Sequence, residues 1–456
     1  MIKKKKRYVK IGLTVSIITI FLTVGTGYYR DLAAKSEETY KGLKIFSDVI
    51  ELVEKNYVDP VDPKELINKA IQGMVHSLDP HSSFLPPEAF KELKIDTRGE
   101  FGGIGIVITM KKGVLTVISP IEGTPAHKAG IKAGDKIIKV NGESTKNMML
   151  WEAVKKMRGP KRTSVVITVF REGLEKPIDF KLIRDIIPIE SVKSFHLQPR
   201  YGYIRITNFN DNTSTELKSS LEKLESGALA IKGLILDLRD NPGGLLNQSI
   251  KVSDMFIEKG TIVSIKGRQS VHTKTFKAHA NEVKREYPIV VLINGGSASA
   301  SEIVAGALQD HKKALILGTT SFGKGSVQTV ESLRDGYGLK YTIARYYTPN
   351  GRSIQAQGIV PDIEVKKRLS NESAMVENEE GLLKEKDLKN HLGAEPDVRN
   401  KKKSDSSTSG DREEKTKMPT SETRFGPLKL EMLKSDNQVR HALEVLISYN
   451  IFKEGK

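Results

Sequence analysis

The stretch from Asn294 to Gln328 constrains this chain more than any other. It follows Pro288-Ile-Val-Val-Leu-Ile293, an apolar, β-branched run bounded by Pro and Gly that reads as a fully buried strand. Asn294-Gly-Gly-Ser-Ala-Ser-Ala-Ser-Glu-Ile303 then turns into a helix from about Ala300 to His311, with Ile303, Val304, Ala307 and Leu308 at helical spacing. Ser299 falls at the helix N-terminus, where unpaired N–H groups and the helix dipole favour negative charge. The helix carries the chain about 18 Å away. The apolar run Ala314-Leu-Ile-Leu-Gly318 can bring it back about 17 Å as a strand. The loop Thr319–Lys324 then returns to Ser299, with Lys324 between Gly323 and Gly325. A lysine in a dry pocket loses its preference for charge, and its neutral amine can accept a serine proton. His311 lies at the far end of the helix, which argues against a Ser299–His311 pair. On spacing alone a second reading stays open: a Gly/Ser-rich strand–helix turn beside a solvated lysine.

Ser297-Ala-Ser-Ala-Ser-Glu-Ile303, followed by Phe322-Gly-Lys-Gly-Ser-Val-Gln328, resembles the C-terminal processing (tail-specific) serine peptidases. The resemblance runs from about residue 40 to Val365, with a weaker echo at the C-terminus. It implies a Ser–Lys dyad with Ser299 as nucleophile, Lys324 as general base and Gln328 orienting the lysine. It also implies an oxyanion hole from the N–H of Ala300 and a glycine N–H, Gly243 or Gly244, in Asp237-Leu-Arg-Asp-Asn-Pro-Gly-Gly244. Asp310 matches an acidic position of the family and reads as structural. The implied fold class is multidomain α/β: a crotonase-like catalytic core of sheet and helices, a PDZ domain and a helical N-terminal segment.

Absence of cysteine excludes disulfides, metal thiolates and a cysteine nucleophile. No His-x-x-x-His or similar spacing suggests a metal, and the chemistry implied by the resemblance needs no cofactor. The formal net charge is +17, of which six positives lie in Lys3–Lys10. The rest is spread without aromatic interleaving, which speaks against nucleic acid as a partner. Behind that basic flank, Ile11–Gly27 is uncharged for 17 residues, at the short limit for a spanning helix. The charges put the N-terminus in the cytoplasm and the bulk of the chain outside. The expectation is a single-pass signal anchor in the cytoplasmic (inner) membrane over residues 1–37, with the catalytic part on the periplasmic side. A signal peptide cleaved near Ala34 is the alternative.

Helical periodicity marks Glu38–Val58 and Pro63–Leu78 within an N-terminal segment, 38–98. His81, in Leu78-Asp-Pro-His-Ser-Ser-Phe-Leu85, reads as a loop histidine. Residues 99–185 look like a PDZ domain, from the glycine loop Phe101-Gly-Gly-Ile-Gly-Ile-Val-Ile108 and from Gly134-Asp-Lys-Ile-Ile-Lys-Val-Asn-Gly142. The N–H groups of Gly102, Gly103, Ile104, Gly105 and Ile106 can cradle a peptide carboxylate, and strand Ile104–Ile108 offers an edge for β-addition. Arg158 matches an arginine with which the family senses bound peptide; a plain surface arginine is the alternative. Arg162 stands where the family usually has Gly, so the turn there is expected to differ.

The core, 186–367, alternates strands and helices, as an α/β sheet requires. Residues 368–424 shift to Lys, Glu, Ser, Asn and Asp and read as a disordered linker. The C-terminal segment 425–456 carries a helix over Asp436–Ile451. These features imply a membrane-anchored endopeptidase acting on protein substrates with exposed C-termini. An adaptor protein and a homo-oligomer are further partners by family analogy. The competing class is a PDZ scaffold on an inactive core. A Gly-x-Ser-x-Gly esterase elbow is contradicted by Ala298-Ser299-Ala300.

Overall fold

Five-residue apolar runs organise the core. In the computed structural model, which describes residues 37–368 (apart from Lys112, Asn147 and Glu282), 383–393 and 430–454, Gly233–Asp237 and Ile289–Ile293 are central strands buried at every position. They belong to a six-stranded sheet in the order Val192–Gln198, Tyr201–Ile206, Gly233–Asp237, Ile289–Ile293, Leu315–Gly318, Ile363–Glu364. Only the first pair is antiparallel. Parallel strands need cover on both faces, and alternation of side chains supplies it. Leu234, Leu236, Ile289, Val291 and Ile293 pack with helices Thr213–Glu225, Leu246–Asp254 and Ala300–Asp310. Ile235, Val290, Leu292 and Leu317 face the other way, onto Leu433, Val439, Ala442 and Leu446 of the C-terminal helices Leu430–Ser435 and Asn437–Glu454.

A second, antiparallel sheet carries the hairpin Ser326–Ser332/Gly338–Tyr347, whose long strand also pairs with Ser83–Leu85 and Thr261–Gly267. The PDZ domain is a sheet in the order Ile106–Lys111, Val114–Pro120, Lys136–Val140, Ser164–Phe170, Ile178–Ile183. Its own core is built from Ile104, Val117, Ile137, Ile167 and their neighbours. The ribbon Glu100–Gly103/Asp185–Pro188 closes its two ends together. The chain divides at Ser77/Leu78 into two compact units. The first contains a helix over residues 37–56 and the helix Pro63–His76, capped by the Asp62 side chain on Lys64 N–H.

Two expectations change. The PDZ edge strand starts at Ile106, two residues after Ile104, because the carbonyls of Ile104 and Gly105 accept from Ala126 and Ile121 instead of joining a ladder. Within the stretch expected to be a disordered linker, residues 383–393 are seated on the core, and Glu385 is fully buried. Polar contacts hold this segment, and composition does not reveal them. No helix among the described residues is long and apolar enough to cross a membrane; the Ile11–Gly27 segment lies outside the described residues.

Candidate active site

Ser299 occupies φ 55, ψ −114, a region that costs a non-glycine residue energy and persists only where its surroundings enforce it. Those surroundings are rigid. Strand Ile289–Ile293 is locked in the sheet centre, and helix Ala300–Asp310 is buried along most of its length, so the chain must turn sharply between them. Ser297 Oγ donates to Leu238 O (2.8 Å) and Ser301 Oγ to Asn241 O (2.9 Å), tying the turn to the end of the neighbouring strand. The Glu302 carboxylate accepts the Ser299 N–H at 2.7 Å, half of a capping box. Ala300 is the first helical residue, so its N–H is among those the helix itself leaves unpaired.

Gly243 presses against this turn at φ +97. A Cβ there would lie 2.7 Å from Ser299 Cβ and 2.9 Å from Ala300 N, so only glycine fits. Its N–H donates to Asn241 Oδ1 at 2.9 Å. Ser299, Ala300, Gly243, Gly244, Lys324 and Gln328 all line one cleft of about 800 Å³.

Lys324 arrives on the loop that follows the returning strand, since Leu315–Gly318 runs parallel to Ile289–Ile293. Its loop is fastened to Glu302, which accepts from Ser321 Oγ (2.6 Å), Gly323 N–H (2.7 Å) and Lys324 N–H (3.0 Å). Burial pushes the Glu302 carboxyl up to about 7, against the pull of those hydrogen bonds. Burial also pushes the Lys324 ammonium down to about 8, helped by the charge of Lys340 and opposed by Glu385, Glu302 and Asp79. A free amine is therefore accessible near neutral pH. The Tyr346 hydroxyl donates to the Lys324 carbonyl and reaches the Ser299 side chain.

Gln328 is in the cleft, but its amide donates to Ser326 Oγ (2.9 Å) and Thr342 Oγ1 (3.2 Å). The bulge at Val327/Gln328 re-aims the side chain across the hairpin, so the direct contact with the lysine amine expected from sequence is replaced by one within the sheet. Asp310 holds the 350–352 turn, through Asn350 N–H (2.9 Å) and Arg352 Nη2 (2.5 Å). His311 caps the far end of the helix and contacts Thr261 O at 2.7 Å.

In the PDZ domain, Gly102 and Gly103 lie in the closing ribbon and Ile104 buries its side chain in the domain core. Ile106 opens the strand at the sheet edge. Arg158 pairs with Glu92 at 2.7 Å and lies 4.5 Å over the Phe101 ring. Arg162 takes φ 70, a left-handed state in which glycine is at ease. The turn thus keeps a glycine-like backbone despite the side chain.

Comparison with known proteins decides the family. A carboxy-terminal-processing protease of Bartonella bacilliformis is 46% identical over 359 residues, 78% of this chain and 81% of that protein. The chain belongs to the carboxy-terminal-processing serine proteases of peptidase family S41. The family S41 model matches residues 200–365, a PDZ domain matches 92–169, and the activating protease CtpB N-terminal domain matches 26–89. The carboxy-terminal processing protease CtpA of Bacillus subtilis is 38% identical over 77% of this chain and 74% of that protein. A solved photosystem II D1 C-terminal processing protease is 32% identical and covers 70% of this chain and 92% of that one, with TM-score 0.42.

Several residues of this S41 site escaped the sequence reading. Glu302 was accessible in principle, since Ser299-x-x-Glu302 is the capping-box spacing. Lys340, Tyr346 and Asp79 carry no local signal, because a hairpin and a distant turn bring them in. His81, read as a loop histidine, meets Glu385 Oε2 at 2.7 Å, a partner 304 residues away.

Proposed function

We propose that this S41 protease is anchored in the cytoplasmic membrane with its catalytic part outside the cytoplasm, and that it cleaves proteins with a Ser299–Lys324 dyad. The observation that carries the dyad is that the strained Ser299 and the half-buried Lys324, with its lowered pKa, line the same cleft. Ser299 Oγ attacks the scissile carbonyl while the neutral Lys324 amine takes its proton. The resulting oxyanion is received by the N–H of Ala300 and by the Gly244 amide, since the Gly243 N–H is committed to Asn241 Oδ1. Lys324 returns the proton to the leaving amine, and water then hydrolyses the acyl-enzyme. Gln328 lines the same cleft, with its amide held by Ser326 and Thr342. The edge strand at Ile106 and the amides of the turn at Ile104, Gly105 and Ile106, beyond the ribbon that takes up Gly102 and Gly103, select substrates by their C-terminal tails.

Ser299→Ala and Lys324→Ala should each abolish proteolysis with folding intact; retained activity in Lys324→Ala would remove the dyad. For the location, the basic flank and Ile11–Gly27 support the reading. Full-length protein should pellet with membranes and resist carbonate extraction, and protease added to spheroplasts should reach the part after residue 40. Soluble periplasmic protein with a new N-terminus near Ala34 would contradict the anchor.

A further inference from the structure

We propose that Glu385, carried on the segment 383–393, is a positioning residue that straps down the loop bearing Lys324. This rests on the assignment of Lys324 as general base. Glu385 has no exposed surface. Its Oε2 meets His81 Nε2 at 2.7 Å, and its Oε1 accepts from Gln355 Nε2 at 2.8 Å. Gln355, also fully buried, accepts the Gly325 N–H on its Oε1 at 2.9 Å and so touches the residue next to Lys324. The strap backbone adds Glu385 N–H to Phe322 O at 3.3 Å. Lys384 Nζ donates to Thr320 O (2.5 Å) and Ser321 O (3.1 Å). The loop Thr320–Gly325 is thereby clamped between two buried carboxylates, Glu302 from the nucleophile's helix and Glu385 from the strap.

Gln355 Nε2 also donates to Leu392 O of the strap at 2.9 Å, and the strap's apolar contacts are few. Leu383 is 41% exposed, and Leu388 and Leu392 are only half-buried. Burying a carboxylate is costly unless it is paired and hydrogen-bonded, and here the pairing is spent on fixing a segment with a small apolar footprint. Gly325 packs directly on Gln355, where a Cβ would fall 2.5 Å from Gln355 N. Removing Glu385 frees one side of the loop, and misplacing a catalytic group by about 1 Å can lower the rate on the order of 100-fold.

Two readouts separate positioning from simple structure. Lys324 is faced by Lys340, Glu385, Glu302 and Asp79, and Glu385 by His81, Gln355 and Lys324. The Glu385 carboxylate favours the ammonium form of Lys324, so Glu385→Gln should move the acid limb of the kcat–pH profile to lower pH. In the full-length protein, Glu385→Gln and Glu385→Ala should lower kcat about 10- to 100-fold with KM changed less than about twofold. The exposed strap variant Lys386→Ala should match wild type. Hydrogen exchange at Gly323–Gly325 should be slow in wild type and faster in Glu385→Gln, which checks the strap even if Glu385→Ala folds poorly. Wild-type kcat, acid limb and exchange in Glu385→Gln, with Lys324→Ala inactive, would overturn this inference and leave the dyad standing. An active Lys324→Ala would instead overturn the reading on which it rests.

Discussion

At the scale of single residues, the site depends on how tightly backbone and side chain are held around Ser299. Gly243 shows this most directly. Its contact with the Ser299 turn leaves no room for a methyl group, and its φ of +97 strains any other residue. Gly243→Ala should therefore displace Ser299 and Ala300 and lower kcat about 100-fold or more, measured on an unstructured substrate, with the chain still folded by circular dichroism. Unchanged kcat would mean that the turn yields without consequence. Ser299 was legible because a buried strand, a Gly/Ser turn and a helix leave one place for it. Lys324 was legible as a returning lysine between glycines, although its burial was not. Gln328 was only partly legible, because a one-residue bulge decides where its amide points and the letters do not announce a bulge. Glu385 was illegible: it sits in a polar stretch whose composition argues for disorder, and its partners are hundreds of residues away.

At the scale of elements, strands buried on both faces announce themselves as apolar runs, and Gly233–Asp237 and Ile289–Ile293 needed no further clue. Helix ends were legible to within a few residues where capping or periodicity marks them, as at Ala300–Asp310 and Pro63–His76. What sequence did not carry is how the C-terminal helix is tied to the strand end that leads to the Gly243–Gly244 turn. Arg239, two residues past the end of its strand, donates to Asp237 Oδ2 at 2.6 Å and reaches Asp436 Oδ2 at 2.8 Å and Gln438 Oε1 at 2.7 Å. Tyr203 OH adds a bond to Asp237 at 2.6 Å. Burial alone would push the Asp237 carboxyl up; Arg239 and Arg205 more than offset it and hold it well below the usual range. The start of the last helix thus braces the strand end from which the Gly243–Gly244 turn departs. That helix was legible, but a buried ion network spanning nearly 200 positions has no local signature.

At the scale of the whole molecule, the PDZ domain is joined to the core through the ribbon Glu100–Gly103/Asp185–Pro188, and Arg158 is occupied within the protein by Glu92 and Phe101. A ligand can shift a conformational equilibrium only through contacts that differ between its states. If Arg158 exchanges Glu92 for bound peptide, the domain can help to align Ser299 and Lys324. Deleting residues 99–185 should then abolish cleavage, and Arg158→Ala should reduce turnover far more than tail binding. Faster cleavage without the domain would mark it as a cover that holds the core shut. The most direct test of the central claim, however, is the rate at which a fluorophosphonate labels the full-length protein as a function of pH. A Ser299–Lys324 dyad requires labelling at Ser299 that rises with pH through about 8, where Lys324 loses its proton, and that disappears in both Ser299→Ala and Lys324→Ala. Labelling of Lys324→Ala at the wild-type rate, or a rate indifferent to pH across that range, would contradict it.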